Sequence, residues 1–272
     1  MSDSLLAGPL WLIGCGNMAG AMLEGWLRAG VDPEQVTVVR PSGRAPAVGV
    51  RTLTAVPEGE APAIVLLGVK PQKLDEVAPS LAPALDAQTV VVSILAGVEL
   101  ASLRARFPQV RPVVKAMPNL PVSLGRGVVE LYTDAATPAE ARAAVERLMA
   151  ALGQAEWFED EGLFNVASAL TAAAPAFLFR FIDALAIAGA ELGLEPGQAA
   201  RLAAAMAEGA AALAAQSGES PEALARRVAS PGGTTEAGLA VLDGEDGLKA
   251  LVLRTLAASR RRGQEMAAAA RG

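Results

Sequence analysis

The feature that most constrains this chain lies near its start, where the apolar run at residues 10–14 breaks into Gly14-Cys15-Gly16-Asn17-Met18-Ala19 and a helical pattern begins at Met18. A strand that turns on glycines directly into a helix has few uses. Gly14 permits the tight turn, Gly16 lets a pyrophosphate approach the backbone, and the small Ala19 allows close helix–strand packing while the helix N-terminus faces the anion. The glycine spacing acquires meaning from this context, strand before and helix after. Taken alone, the same residues also make a plain strand-turn-helix connection.

The turn opens an alternation of β-rich runs and helical periods, the pattern of parallel strands joined by crossover helices. Strands are predicted at residues 10–14, 36–40, 64–69, 89–95, 110–117 and 127–132, and helices at 18–29, 74–85, 99–106 and 138–152. Runs such as Ile64-Val65-Leu66-Leu67 imply burial on both sheet faces. Residues 41–59, rich in Pro and Gly, read as a loop. Beyond about residue 159 the signal changes to Ala- and Leu-rich helical stretches at 163–193, 198–216 and 246–270. The expected fold is α/β: an N-terminal Rossmann-like domain with a mainly parallel sheet over residues 1–158, then an all-α domain over 159–272. The later helices are apolar around most of their circumference and need neighbours on several sides, which a homodimer supplies. Close packing of small residues within one chain is the alternative.

Composition excludes several classes. With 52% apolar and 19% charged residues the chain is no disordered tail, and a net charge of −6 disfavours a nucleic-acid partner. There is no histidine, so Ser-His and Cys-His nucleophiles and imidazole metal sites are absent, and the single Cys15 excludes an internal disulfide or a multi-cysteine metal site. The longest tempting apolar stretch, residues 166–179, stops at Arg180, so no membrane span is expected. Asp3 and the lack of an early Lys or Arg argue against a signal peptide, which makes the cytoplasm the expected location.

After the second strand an NAD site usually carries an acid for the ribose 2′-hydroxyl, whereas this chain has Arg40, Ser42 and Arg44. Two cations and a hydroxyl suit the 2′-phosphate of NADP(H), with NAD(H) possible; a solvated basic loop is the plainer reading. Lysine is scarce, and Lys70 and Lys115 close predicted strands, which places them near the nicotinamide end of a cofactor crevice or in surface loops. In the helical half, Ser230-Pro231-Gly232-Gly233-Thr234-Thr235 precedes a helix expected to resume at Glu236. Backbone N–H groups around two glycines form a nest suited to a carboxylate, and the same residues could serve as an elaborate helix cap.

The glycine turn, Val69-Lys70-Pro71-Gln72, Ser93-Ile94-Leu95-Ala96-Gly97-Val98, Met117-Pro118-Asn119 and the Ser230–Thr235 segment occur in this order in the pyrroline-5-carboxylate reductase family, which the chain resembles over nearly its whole length. The resemblance implies reduction of a cyclic imine carboxylate to proline by NAD(P)H, with a Rossmann domain and a helical dimerisation domain, often in larger assemblies of dimers. It implies that Ser230, Gly232, Gly233, Thr234 and Thr235 receive the substrate carboxylate, often across the dimer interface, with the Thr235 hydroxyl at the ring nitrogen. It also implies that Val69, Lys70, Pro71, Ala96, Gly97, Met117, Pro118 and Asn119 line the cofactor and its nicotinamide pocket, Met117 and Asn119 closest to the ring.

The chain departs from the family at Thr171-Ala172-Ala173-Ala174-Pro175-Ala176, where a Ser-Gly-Ser-Gly-Pro-Ala turn is usual. Alanine would strain the backbone there if the glycines held positive φ. Lys115 stands where Arg is common, and Leu120 where Thr is common. Hydride reduction of a carbonyl needs a proton donor, and with no histidine, only Tyr132, and no Lys between Lys115 and Lys249, the chain has few candidates. A protonated imine needs none, because hydride addition leaves a neutral amine. The alternatives are a related reductase of another imine or a β-hydroxy acid, and a noncatalytic NADP-binding paralogue.

Overall fold

The computed structural model describes residues 5–269. Asp3, and Ala270 at the end of the last predicted helix, lie outside the described residues. The chain forms two compact units, one of residues 5–173 with 259–269, the other of residues 174–258.

The first unit is built on an eight-stranded sheet: β1 (Leu10–Ile13), β2 (Val36–Val39), β3 (Arg51–Leu53), β4 (Ile64–Leu67), β5 (Val90–Ser93), β6 (Val113–Pro118), β7 (Gly127–Tyr132) and β8 (Gly153–Phe158). Spatial order is β3-β2-β1-β4-β5-β6-β7-β8. The strands from β3 to β6 run parallel. Only a short 3₁₀ segment, Leu120–Leu124, joins β6 to β7, too short for a crossover, so this pair is antiparallel; β8 then runs parallel to β7. Alternate residues feed opposite cores. Leu10 and Leu12 face one side with α1 (Asn17–Arg28) and α4 (Ala139–Ala150), and Trp11 and Ile13 face the other with α2 (Leu74–Leu81) and α3 (Leu100–Arg106). Helix α1 buries Ala19, Met22, Leu23 and Trp26, a single stripe, and Trp26 Nε1 donates to the Leu148 carbonyl at 2.8 Å.

Two strands escape sequence reading. β3 is three residues inside the Pro/Gly-rich segment read as a loop, an edge strand with Arg51 exposed. β8 is the other edge, where Gln154 and Glu156 stay exposed between half-buried neighbours. Both gain their conformation from the ladder beside them.

The stretch expected as one helix over 163–193 divides into α5 (Glu161–Thr171), which packs on β7, and α6 (Ala174–Glu191). Residues 162–179 carry no charge, and Glu161–Glu191 is long and apolar enough by composition to cross a membrane, which corrects the expectation that no run reaches that length. Asn165, Ser168 and Thr171 break its apolarity without adding charge. Ala172, at φ −72° and ψ −39°, continues helical geometry, and no non-glycine residue among those described has positive φ. The alanine turn is therefore unstrained.

The second unit is all helix, as expected: α6, α7 (Pro196–Gln216), α8 (Pro221–Val228), α9 (Thr234–Leu242) and the first half of α10 (Leu248–Ala269). A turn with Gly193 at φ +110° joins α6 to α7, and the two helices approach closely where Gly189 meets Ala199. Phe179, Phe181, Ile187, Leu202, Met206 and Leu253 remain exposed in the isolated subunit.

Candidate cofactor and substrate sites

The glycine turn has the geometry its sequence implies. Gly14 sits at φ +85°, and a Cβ there would stand 2.9 Å from the Gly68 carbonyl oxygen and from the Val69 nitrogen. The Gly14 N–H donates to the Val39 carbonyl, holding the turn between β1 and β2. A Cβ on Gly68 would come within 2.9 Å of Ala19 Cβ and of the Gly14 carbonyl oxygen, so the bare Gly68 facing the small Ala19 lets α1 lie against the end of β4. Gly16 differs: a Cβ there meets nothing within 4 Å, so its surface is open to a ligand. Gly16 caps α1 without a side-chain hydrogen bond, and the first turn of α1 carries no acid. Free amide donors and a positive helix end, with no internal carboxylate, fit a pyrophosphate.

A cleft of about 1090 Å³ opens from this turn at the carboxyl ends of β1, β2 and β4. Strand order reverses between β1 and β4, and this is the switch point at which open α/β sheets bind ligands. Gly14, Cys15, Gly16, Arg40, Ser42, Val69 and Lys70 all line it. Asn17, Met18 and Ala19 form the first turn of α1 beside it. Burial raises the Cys15 thiol pKa, and the Arg40 guanidinium partly opposes that shift, which marks Arg40 as a cation acting on the glycine turn. Arg44 does not line the cleft; its backbone N–H turns back onto Ser42 Oγ at 3.4 Å. Sequence reasoning missed Thr54 to Gly59, which form one wall, because β3 was hidden in a presumed loop. It also missed Lys73, Glu76 and Val77 near the start of α2, which the helical period gave no reason to single out.

The other predicted cofactor residues lie farther along the same rim. Pro71 follows β4 and opens the turn leading to α2. Ala96 and Gly97, the latter at φ +75°, follow β5, and Met117 lies near the end of β6. Lys115 is not in the cleft. It is 6% exposed, its Nζ lies 2.6 Å from Glu161 Oε1 and 4.7 Å from the Phe164 ring centre, and Glu161 Oε1 also accepts the Leu100 N–H. One carboxylate thus ties the first residue of α5 to β6 and to the start of α3. The surface-loop reading of Lys115 fails, because it lies within β6, buried, with Glu161 as the close counter-ion that a buried ammonium needs. Asn119, 7% exposed, accepts the Val128 N–H and donates to the Thr171 carbonyl, so it anchors the C-terminus of α5.

In the helical unit, α9 begins at Thr234, two residues before the expected start, because Gly233 in extended geometry serves as its cap. Gly232 takes φ +67°, and the Gly233 N–H closes a turn on the Ser230 carbonyl. Ser230, Gly232, Thr234 and Thr235 are exposed. The Gly232 N–H donates to Glu236 Oε2 at 2.7 Å. The loop therefore already holds a carboxylate, from its own chain, on the N–H group proposed to receive one.

The sequence profile described as pyrroline-5-carboxylate reductase dimerisation matches residues 161–266, and that described as NADP oxidoreductase coenzyme F420-dependent matches residues 10–97. The pyrroline-5-carboxylate reductase of Pseudomonas aeruginosa is 38% identical over 262 residues, covering 94% of this chain and 95% of its own. A solved pyrroline-5-carboxylate reductase from Coxiella burnetii superposes with a TM-score of 0.86 at 28% identity, covering 96% of this chain and 99% of its own. A Plasmodium falciparum pyrroline carboxylate reductase, solved with NADP bound, shares the fold at a TM-score of 0.84 and 22% identity, covering 96% and 98%.

Proposed function

The chain belongs to the pyrroline-5-carboxylate reductase family, and from that premise we propose how its residues divide the reduction of 1-pyrroline-5-carboxylate to proline. It is an NADP(H)-dependent oxidoreductase acting on a C=N bond. NADP(H), when bound, supplies hydride to the imine carbon of the substrate ring. The observation that carries the cofactor assignment is the combination of an open Gly16, an α1 N-terminus with no side-chain cap and no acid in its first turn, and Arg40 and Ser42 on the wall of the same cleft. In this reading the α1 N-terminus holds the pyrophosphate, and Arg40 with Ser42 holds the 2′-phosphate.

Ser230 to Thr235 receive the substrate carboxylate, displacing Glu236 from the Gly232 N–H, and the Thr235 hydroxyl meets the ring nitrogen. The carboxylate of Glu236 on that N–H supports the choice of ligand. Met117 borders the reacting ring. Asn119 serves by holding β7 and the end of α5 in register, with one amide hydrogen left for the pocket. A chain without histidine needs no further proton donor, since hydride addition to the protonated imine yields a neutral amine and the protein has only to orient and desolvate.

The functional boundary falls at residue 158/159, with α5 counted in the dimerisation segment although it packs on the sheet. The match to a dimerisation domain and the exposed Phe179, Phe181, Ile187 and Met206 support a homodimer that covers them. A free thiol at Cys15 suits a reducing cytoplasm.

The test is steady-state oxidation of NADPH and NADH by the purified protein with pyrroline-5-carboxylate, beside other cyclic imines and β-keto acids. Turnover selective for the first substrate is expected, and tight NADPH binding without it would refute the assignment. Removing the hydroxyl in Thr235→Ala should cost about 2–3 kcal/mol in kcat/KM, and Thr235→Ser should restore most of it.

A further inference from the structure

Among the described residues, the two oxygens of Glu130 are the only buried side-chain polar atoms without a hydrogen-bond partner. The side chain is 1% exposed, in the middle of β7. Such a carboxyl is rare in a folded protein, because burial without a partner disfavours its charge. Its position gives it a use.

The antiparallel register pairs Glu130 with Met117 and Tyr132 with Lys115. These four side chains share one sheet face, while Ala116, Val129 and Leu131 enter the opposite core. The charged groups that approach this face are few. Lys115 on β6 is committed to Glu161, the first residue of α5, and Asp160 caps that helix. Glu156 on β8 is registered beside Glu130 but exposed, and the 3₁₀ segment Leu120–Leu124 brings no titratable group. Tyr132 shares the strand, and burial together with Glu161, Asp134 and Asp160 raises its phenol pKa.

Met117 lies on the rim of the sheet, two residues past Lys115, which pairs with the last residue of β5. A dinucleotide with its pyrophosphate at α1 and one ribose at Arg40, beyond β2, must extend its other ring the opposite way. β2 and β4 flank β1 on opposite sides, so that ring crosses the carboxyl ends of β4, β5 and β6. Glu130 is the cross-strand neighbour of Met117 at the end of this path.

We propose that Glu130 is a positioning residue for the oxidised cofactor, its buried carboxylate stabilising, from beside Met117, the positive charge the nicotinamide acquires when hydride leaves. The inference rests on the cofactor reading above. The hydride and its electron pair pass from the ring to the imine carbon, and the Glu130 proton is exchanged with solvent separately. Burial holds this carboxyl up to about 7, so its charge changes across the neutral range. An ionised Glu130 favours the cationic oxidised ring and is indifferent to the neutral reduced one. By linkage, NADP⁺ must then gain affinity relative to NADPH as pH rises, and both forms carry the same phosphates, whose titration cancels in the ratio.

The experiment measures Kd for NADP⁺ and for NADPH from pH 6 to 8.5 in the wild type, Glu130→Gln and Glu130→Met. The expected wild-type ratio moves about fivefold toward NADP⁺ with a midpoint near 7, and both variants hold the low-pH ratio throughout. A flat wild-type ratio with both forms bound would overturn the inference and leave the cofactor reading standing. A shift that persists in the variants would also overturn it. Failure to bind either form would remove the cofactor reading and the inference together. A purely structural role for Glu130 would move the melting temperature and leave the ratio alone.

Discussion

Replacing Glu130 by Gln should stabilise the protein at neutral pH, by an amount that follows from its burial. In the unfolded chain the carboxyl titrates at 4.5, whereas the fold holds it at about 7. Below 4.5 the group is neutral in both states and costs nothing. Between 4.5 and 7 the unfolded chain releases a proton that the folded chain keeps, so stability falls with rising pH, and above 7 the loss is complete. At about 1.4 kcal/mol per pH unit, the wild type loses about 3 kcal/mol over this window. Gln does not titrate, so the lead of Glu130→Gln over the wild type should grow by about 3 kcal/mol between pH 4 and pH 8. Urea denaturation at the two pH values measures it, followed by the fluorescence of the three tryptophans, all of which lie on the sheet unit. Arg104, Arg106 and the Thr89 loop lower the pKa values of Asp134, Asp75 and Asp86, and these opposite contributions are common to both proteins and cancel. A lead that is the same at pH 4 and pH 8 would refute the claim that an unpaired, ionisable carboxyl is buried here.

Three further outcomes are expected. Gly14→Ala places a side chain at φ +85° and within 2.9 Å of backbone atoms of Gly68 and Val69; the φ penalty alone is about 1–2 kcal/mol, so lower melting and lost NADPH binding in a fluorescence titration should appear together. Arg40→Ala should weaken NADPH about tenfold and leave NADH nearly unchanged, a comparison of KM values that an unchanged NADPH value would contradict. Lys115→Met leaves the partly buried Glu161 carboxylate without its ammonium while the Leu100 N–H remains; a loss of about 1–3 kcal/mol in denaturant stability is expected, and Lys115→Arg should keep most of it.

The readable parts of the chain were those where local chemistry and tertiary context agree. The β1–α1 turn, the fully buried strands β1, β2, β4 and β5, and the change to an all-helical second half are written in glycine placement and in the period of apolar residues. The edges were opaque. Arg51-Thr52-Leu53 and the mixed segment Gly153–Phe158 carry no strong period, since an edge strand is held on one side only and half its residues meet water. Thr54 to Gly59 joined the cleft wall unseen for the same reason.

Lys115 and Glu130 mark the limit most clearly. Both lie near the carboxyl end of the sheet, and strand position placed the lysine near the nicotinamide end of a crevice or in a surface loop while nothing singled out the glutamate. Packing of α5 reversed that weighting, because Glu161 took the lysine as its counter-ion and the same helix covers the sheet face on which the glutamate lies. The sequence by itself determined the order of elements, the glycine turn that carries β1 into α1 and the absence of imidazole chemistry, all of which depend on neighbours in the chain or on composition. Only the tertiary structure decided which charges meet, which carboxyl is left dry, and which side chains line the cleft. Those outcomes depend on distances between residues far apart in sequence and on how much water each is left with.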